Sequence, residues 1–270
     1  MTVDQNAVAQ AAARLIAASD EGRPVAPVRD LLGEQDIDAA YAVQQELTRR
    51  RLAAGAVVVG RKIGLTSPAV QRQLGVDQPD FGVLFADMDV SAEAEVPSAR
   101  LLQPKAEAEI AFVLGEDLAD GELDAARIRA AVEYAVAAIE IVDSRVADWD
   151  IRLTDTIADN ASSGLYVLAD RRLTLDAFEP REVTMRMYAD GEPVSEGAGS
   201  ACLGDPLNAL AWLARTAQAY GDPLRAGQVV LSGALGPMVP APPGSRIHAE
   251  IGPLGAVTAA FSEKIEKRDV

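Results

Sequence analysis

The spacing of apolar positions changes along the chain, from helical near the start to strand-like further on. In the segment 4–18, apolar side chains recur three and four residues apart, and Gly22 follows as a cap. A second helix is predicted from an N-cap at Asp36 or Asp38, and its apolar side carries Ile37, Ala40, Tyr41 and Leu47. Residues 1–55 are therefore predicted to form a small helical N-terminal part.

From Ala56 onward the pattern predicts strands and turns. The run "AVVVGRKIGLTS" is rich in β-branched residues, and a short polar helix-like segment separates it from "GVDQPDFGVLF". Two helices are predicted, at 124–137 and from Asp205 as N-cap, with Pro206 first and Gly221 at the end. Further strands are predicted at 106–114, 138–143, 164–168, 182–189, 228–232 and, in two pieces, 246–261.

These elements do not alternate regularly enough for a parallel doubly wound sheet or barrel, and no glycine-rich dinucleotide fingerprint follows a strand. The pattern favours an α+β architecture, in which a β-rich domain over residues 56–270 follows the helical part.

Charge and cysteine content narrow the function classes. The formal net charge is −16, which would repel a polyanion, so no nucleic-acid partner is expected. The chain has one cysteine, no secretion signal at "MTVDQNAVAQ" and no apolar run long enough to cross a bilayer. We therefore expect a cytoplasmic protein with no membrane association.

Two carboxylates interrupt the apolar stretch "LLQPKAEAEIAFVLG". If 106–114 is a strand, Ala106, Ala108, Ile110, Phe112 and Leu114 share the core face, and Glu107 and Glu109 point to the other face. Their Cα atoms would then lie roughly 6.5 Å apart, from where both carboxylates can reach one cation. The competing interpretation is a half-exposed strand whose outer face is acidic.

A third acid, Glu140, lies between Ile139 and Ile141 in another predicted strand. A charged side chain there must face water or find a partner. Three carboxylates without a nearby His or Cys predict an all-oxygen site for magnesium, manganese or calcium rather than zinc.

Four motifs together resemble the 2-keto-4-pentenoate (2-hydroxypentadienoate) hydratases of the fumarylacetoacetate hydrolase superfamily. In chain order they are "GRKIGLTSPAVQRQLGVDQPDFGVLFADM", "LLQPKAEAEIAFVL", "AAIEIVDSRVADWDIRLTDTIADNASSG" and "LSGALGPMV". The resemblance implies a mixed β-sandwich roll after the N-terminal helices. It also implies that Glu107, Glu109 and Glu140 bind Mg²⁺ or Mn²⁺. One departure is Lys105, where many relatives carry Arg, and we assign it no catalytic role.

The resemblance also implies two catalytic residues, Lys62 and Asp80. Without it, Lys62 in "GRKIGLTS" would be interpreted as a solvent-exposed lysine and Asp80 in "QPDFG" as a turn residue. As an acid–base or enolate-stabilising group, Lys62 would gain from a lowered pKa near a metal in a low dielectric. Asp80 distinguishes the hydratases from the related 4-oxalocrotonate decarboxylases, which tend to carry an apolar residue there.

Two further motifs are expected to bind substrate. In "DTIADNASSG" a self-capped loop is the alternative, but the resemblance implies that Asn160 and Ser162 form hydrogen bonds to the substrate. In "LSGALGPM" the resemblance implies a small-residue turn that receives the substrate carboxylate, at Ser232 and Gly233.

The expected function is a metal-dependent hydratase that adds water to a short 2-hydroxy-2,4-dienoate, in the meta-cleavage catabolism of aromatic or steroid rings. Alternatives are a 4-oxalocrotonate-type decarboxylase and a catalytically silent partner subunit. A hydrolase that cleaves a carbon–carbon bond is disfavoured, because no His–Glu pair is evident.

The resemblance also points to a homo-oligomer, pentameric or decameric, that can associate with a neighbouring pathway enzyme. Five-carbon and six-carbon substrates both stay open, because they differ by one methyl group, worth about 1–3 kcal/mol in a pocket.

Overall fold

Three helices open the chain and are followed by two β-sheets. The structure is a computed structural model and describes residues 3–67, 71 and 78–263. The polar helix-like segment predicted after "GRKIGLTS" lies mainly outside these residues. The described α-helices are α1 (Gln5–Glu21), α2 (Arg29–Leu32), α3 (Ile37–Ala53), α4 (Ala125–Ala131), α5 (Leu153–Ala158) and α6 (Pro206–Ala219).

Capping residues mark the helix ends, and those at Gly22, Asp36 and Asp205 were predicted from the sequence. The Asp4 carboxylate accepts hydrogen bonds from the first turn of α1, and Gly22 ends that helix in the left-handed conformation. Asp36 caps α3 in the same way. Asp205 accepts from the amide of Leu207, directly after Pro206 at the first position of α6.

The strands form a larger and a smaller sheet. In chain order they are β1 (Val58–Gly64), β2 (Asp80–Phe85), β3 (Pro104–Leu114), β4 (Val132–Asp143), β5 (Ser163–Leu168), β6 (Thr184–Ala189), β7 (Glu192–Ala198), β8 (Val229–Leu231), β9 (Val239–Pro240), β10 (Arg246–Gly252) and β11 (Gly255–Ala260). The larger sheet has the order β2-β1-β8-β3-β4-β5, with β9 paired to β3. Among the described strands of this sheet, β1 and β8 are the one parallel pair. The smaller sheet has the order β11-β10-β6-β7.

The core lies where the two sheets meet. Strands β10 and β11 pack on β3, β4 and β5 of the larger sheet. Fully buried apolar side chains from both sheets fill this region, among them Ile110, Phe112, Ile139, Ile247 and Ile251. Two sheets packed this way, preceded by helices, confirm the predicted α+β sandwich-roll fold.

The predicted helix over 124–137 is wrong in its second half. Helix α4 ends at Ala131, and Val132 already begins β4. The segment "VEYAVA" was predicted to continue the helix of the alanine-rich run before it. Its Val132, Tyr134 and Val136 alternate along the chain and favour a strand, which pairs with β3 from Leu114 back to Ile110. Strand β7 was not predicted, because its sequence "EPVSEGA" is mostly polar and lies on an exposed sheet edge.

The N-terminal helices pack on the elements that hold the candidate site. The side-chain amide of Gln44 in α3 donates hydrogen bonds to the carbonyl oxygens of Phe81 (2.8 Å) and Ile157 (3.0 Å). The ring of Tyr41 stacks on that of Phe81, with 4.9 Å between centroids. These contacts join α3 to β2 and α5. The division into domains at residue 55 stays a prediction.

Candidate active site

Three glutamates converge on one face of the larger sheet. Glu107 on β3 lies directly opposite Glu140 on β4, and Glu109 follows two residues along β3 on the same face. One carboxylate oxygen from each lies within 4.8 Å of the others. Glu109 is 0% and Glu140 1% exposed, which excludes the interpretation of an acidic face in water.

Burial makes this cluster electrostatically unfavourable without a counter-charge. Loss of hydration, reinforced by the charge of Glu140, raises the pKa of Glu107 to about 7. The same two causes, with a contribution from Glu107, hold the pKa of Glu109 well above its usual range. A cation among the three carboxylates would remove this penalty.

The donor set fits a hard divalent cation. Glu109 Oε1 and Glu140 Oε2 are buried and have no hydrogen-bond partner among the described residues. The other Glu109 oxygen, Oε2, accepts from the backbone N–H of Gly233 at 2.8 Å, which orients the carboxylate. Oriented buried oxygens with free lone pairs are the ligands that Mg²⁺ and Mn²⁺ prefer.

Lys62 lies beside the cluster as its cationic neighbour. Its Nζ atom is 2.9 Å from Glu140 Oε1, and both side chains are almost fully buried. Burial disfavours the ammonium, but the charges of Glu140, Asp80 and Glu107 outweigh it and raise the pKa of Lys62. The expectation of a lowered lysine pKa concerns the site with a bound metal and stays a prediction. The neighbouring Arg61 pairs instead with Asp222, as strand alternation predicts.

Asp80 lies on the same sheet face, at the start of β2. It pairs with Gly64 of β1, two residues from Lys62, and is 1% exposed. Its Oδ2 accepts a hydrogen bond from Thr156 Oγ1 at 3.1 Å, while its Oδ1 has no partner among the described residues. Burial raises the pKa of Asp80, and Lys62 and Thr156 act against this effect. The interpretation as a simple turn residue is excluded.

A cavity of about 480 Å³ opens onto these groups. Its volume lies in the range of small-molecule sites. Lys62, Asp80, Glu107 and Glu196 supply the charged part of its lining. Apolar side chains supply much of the rest, including Leu65, Val142, Trp149, Ile151 and Met238. The arrangement can bind a small anionic molecule by its polar end next to a metal and enclose an apolar tail.

Of the four residues expected to bind substrate, one lines the cavity and three do not. Ser162 lines the cavity, and its buried Oγ has no hydrogen-bond partner in the described chain. Asn160 does not line it, and both polar atoms of its amide bond the backbone of Val83. Ser232 and Gly233 do not line the cavity either: the Gly233 amide donates to Glu109, and the Ser232 carbonyl accepts from Cys202 Sγ. The cavity wall in this motif is formed instead by residues 234–238.

Sequence reasoning did not single out two residues at the cavity. Thr156 stands within the quoted motif "DTIADNASSG", but nothing in the sequence connects it with Asp80, 76 residues earlier. Trp149 stands within the motif "AAIEIVDSRVADWDIRLTDTIADNASSG" and lines the cavity, with Lys105 Nζ 4.2 Å from the centroid of its ring. The positions of Thr156 and Trp149 at the cavity depend on tertiary contacts.

The fold and the carboxylate site define a known class of protein. Residues 58–262 match the family model described as fumarylacetoacetate (FAA) hydrolase C-terminal. The chain belongs to this family. No helix within the described ranges is both long and apolar enough to span a membrane.

Particular members of the class are similar over nearly the whole chain. A Pseudomonas putida F1 protein, "TodF product hydratase", is 56% identical over 262 residues, which cover 97% of this chain and 98% of that protein. The 2-keto-4-pentenoate hydratase of Paraburkholderia xenovorans LB400 is 51% identical over 252 residues, covering 93% and 94%. A solved structure of 4-oxalocrotonate decarboxylase from Pseudomonas putida G7, complexed with magnesium and adipate, superimposes with a TM-score of 0.91 at 33% identity, covering 96% and 99%.

Proposed function

We propose that this chain is a hydro-lyase that adds water to 2-hydroxypenta-2,4-dienoate, the enol of 2-oxopent-4-enoate, and forms 4-hydroxy-2-oxopentanoate. The observation that carries the proposal is the 56% identity to a hydratase over 97% of the chain. The buried carboxylate cluster with Lys62 and Asp80 beside it supports the same reaction. Such an enzyme serves the meta-cleavage catabolism of aromatic or steroid rings.

Glu107, Glu109 and Glu140 would hold the cation, for which we propose Mg²⁺ or Mn²⁺. When bound, such an ion supplies a Lewis acid for the 1-carboxylate and 2-oxygen of the substrate. The Gly233 amide keeps Glu109 turned toward this position. Lys62 balances part of the negative charge through its contact with Glu140.

Lys62 and Asp80 are the groups that we propose to move protons. They lie two residues apart across the paired strands β1 and β2, on one sheet face and at the cavity wall. A proton leaves the 2-hydroxyl and another is added at the terminal carbon, which gives the conjugated 2-oxo-3-enoate. The oxygen of a water molecule then bonds C4 as that water gives up one proton, and C3 takes up one proton, so that the product contains one more water than the substrate.

The apolar wall orients the hydrocarbon end. This wall consists of Val142, Trp149, Ile151 and Met238. Their side chains offer few hydrogen-bonding groups to bulk water, so the wall favours contact with the diene tail. We propose that this wall accommodates the tail of the five-carbon dienoate. A kcat/KM at least as high for the six-carbon dienoate would shift the assignment toward steroid-derived substrates.

The test follows the ultraviolet absorbance of 2-hydroxypenta-2,4-dienoate with purified protein, with Mg²⁺ or Mn²⁺ and then with EDTA, and identifies the product by mass. Loss of the diene that depends on the metal, with gain of one water, is expected. Absence of turnover with either metal would contradict the proposal.

A second candidate is a decarboxylase, favoured by the TM-score of 0.91 to 4-oxalocrotonate decarboxylase. The same cation would stabilise the enolate left by departing carbon dioxide. The assay is carbon dioxide release from 2-oxo-3-hexenedioate, for which we expect no activity. Silence in both assays would instead favour a partner subunit without catalysis.

We extend the proposal to assembly and location, where support comes from the family resemblance alone. A homo-oligomer of five or ten chains in the cytoplasm is expected, with a neighbouring pathway enzyme as its partner. Light scattering of the purified protein gives the number of chains, and a monomeric mass would contradict it.

A further inference from the structure

Three consecutive residues at the cavity adopt a backbone conformation that L residues with side chains disfavour. Asn160, Ala161 and Ser162 have φ values of 54°, 52° and 51°. Residues other than glycine visit this left-handed region mostly one at a time, and asparagine is the most tolerant of it. A run of three persists only when the surrounding structure holds it, and such runs concentrate at functional sites.

The Asn160 side chain attaches this left-handed turn to β2. Its Oδ1 accepts from the Val83 N–H at 2.7 Å, and its Nδ2 donates to the Val83 carbonyl at 2.9 Å. The turn lies so close to the strand that a Cβ on Gly82 would be 2.3 Å from the Asn160 carbonyl oxygen. Asn160 therefore acts as a two-point connection between the turn and the strand.

Arg145 holds the turn from its other side. Its guanidinium donates to the carbonyl oxygens of Asp159 (2.5 Å) and Ser163 (2.7 Å), the residues directly before and after the turn. Ser163 Oγ adds a bond to the Asn160 carbonyl at 2.7 Å. The backbone on both sides of the turn is thus fixed by hydrogen bonds.

The two sides of the turn have different surroundings. Ala161 and Ser162 line the active-site cavity, whereas Asn160 and its neighbours Asp159 and Ser163 line a separate cavity of about 600 Å³ against α1 and α3. Ser162 is 2% exposed, and its Oγ lacks a partner within the described residues although it could both donate and accept. A buried hydroxyl without a partner at a ligand cavity indicates a bond that a ligand completes.

We propose that Asn160 is a positioning residue, which holds the left-handed turn so that Ser162 Oγ bonds a substrate oxygen. This inference rests on the proposed function and replaces the expectation that Asn160 contacts substrate itself. It predicts that Asn160 acts through Ser162. Once Ser162 is changed, a change at Asn160 should therefore cause little further loss of activity.

The experiment is a double-mutant cycle on Asn160→Gly and Ser162→Ala. Glycine tolerates the left-handed backbone, so the first variant removes the amide bonds without adding strain. For each single variant we expect kcat/KM to fall by about tenfold, as for one lost hydrogen bond, mostly through KM. The double variant should lie within about twofold of Ser162→Ala. Losses that multiply to about a hundredfold would overturn the proposal.

Two further variants separate positioning from general damage. Asn160→Asp keeps the acceptor for the Val83 N–H and should recover part of the activity that Asn160→Gly loses. Asp190→Gly is the matched control, because Asp190 also has a positive φ (51°) and bonds a backbone N–H, that of Arg246, away from the cavity. The control should leave kcat/KM unchanged, and an equal loss there would overturn the proposal.

A binding readout distinguishes this inference from the proposed function. If the wild type does not turn over the dienoate, the proposed function fails, and the same cycle is measured as the Kd of 2-oxopentanoate in the presence of Mn²⁺. The non-additive pattern in Kd would then still support the positioning role. Additive losses, or no binding of this oxo acid to the wild type, would overturn it. Mn²⁺ affinity itself should not change in any variant.

Discussion

The buried site holds more negative charge than Lys62 neutralises, because three carboxylates, those of Glu107, Glu109 and Glu140, lie together there. Buried charges are tolerated only with partners. The described groups around these acids supply the Lys62 ammonium in contact with Glu140, a smaller electrostatic contribution from Lys105 and one backbone N–H. At the scale of single residues, the site is therefore built for an additional cation, and each carboxylate should matter to binding it.

Glu107→Gln tests this directly. The amide keeps the shape of the side chain but loses the charge, so we expect Mn²⁺ affinity to fall by more than about a hundredfold and turnover to fall with it. Calorimetric titration measures the affinity. Glu116→Gln, an exposed acid paired with Arg127, is the control and should bind Mn²⁺ like the wild type. Equal affinity for Glu107→Gln would contradict the assigned ligand set.

Asp80→Asn should separate proton transfer from metal binding. The amide can still accept from Thr156 Oγ1, so the fold of this region is expected to persist. We expect kcat to fall by roughly 10²–10⁴-fold, the usual contribution of a general acid or base, at unchanged Mn²⁺ affinity. Steady-state kinetics and the same titration check both parts. A kcat within about threefold of the wild type would remove Asp80 from the mechanism.

At the scale of elements, strand pairing places groups that are distant in sequence. The antiparallel register of β3 and β4 puts Glu140 opposite Glu107, and that of β1 and β2 puts Asp80 opposite Gly64. Gly64 is needed there for space, because a Cβ would lie 2.1 Å from Asp80 Oδ1. The Asp80 carboxylate thus occupies space that a side chain on residue 64 would otherwise fill.

Gly64→Ala is expected to displace the Asp80 carboxylate and to lower kcat about as much as Asp80→Asn, although it removes no functional group. Kinetics of both variants make the comparison. Gly22→Ala is the control: it strains the left-handed cap of α1, which has open space around it, and should lower the melting temperature but not kcat. Full activity of Gly64→Ala would show that the carboxylate is not held at this position.

At the scale of the whole molecule, the buried acids connect metal binding with stability. Loss of hydration and the charge of Glu140 raise the pKa of Glu107 to about 7, and burial raises that of Asp159 to about 6. A group whose pKa is raised by folding stabilises the protein at low pH and loses that contribution as the pH rises through the folded value. The metal-free protein should therefore lose stability between about pH 4.5 and 7.

A divalent cation favours the ionised carboxylates, so its stabilising effect should increase over the same range. We expect the difference in melting temperature between Mn²⁺ and EDTA to be larger at pH 8 than at pH 5.5. Asp159 lies outside the cluster and affects the melting temperature equally with Mn²⁺ and with EDTA, so its contribution cancels in this difference. In Glu107→Gln the pH dependence of this difference should be reduced. A difference that shrinks with rising pH would contradict the assignment.

The sequence by itself determined the features that depend on local chemistry and on strand alternation. The caps at Gly22, Asp36 and Asp205, the α+β class and the shared face of Glu107 and Glu109 follow from residue type and spacing, because capping and alternation act over a few residues. The motifs led from there to Glu140, Lys62 and Asp80.

Only the tertiary structure decided the rest, because it depends on contacts between distant segments. Pairing with β3 turns 132–137 from the predicted helix into strand. Contact with Val83 occupies the amide of Asn160 and leaves Ser162 at the cavity. Three neighbouring acids, brought together from three strands, raise the pKa of Lys62. Burial and the direction of a side chain are set by the whole packed molecule, so spacing along one segment does not contain them.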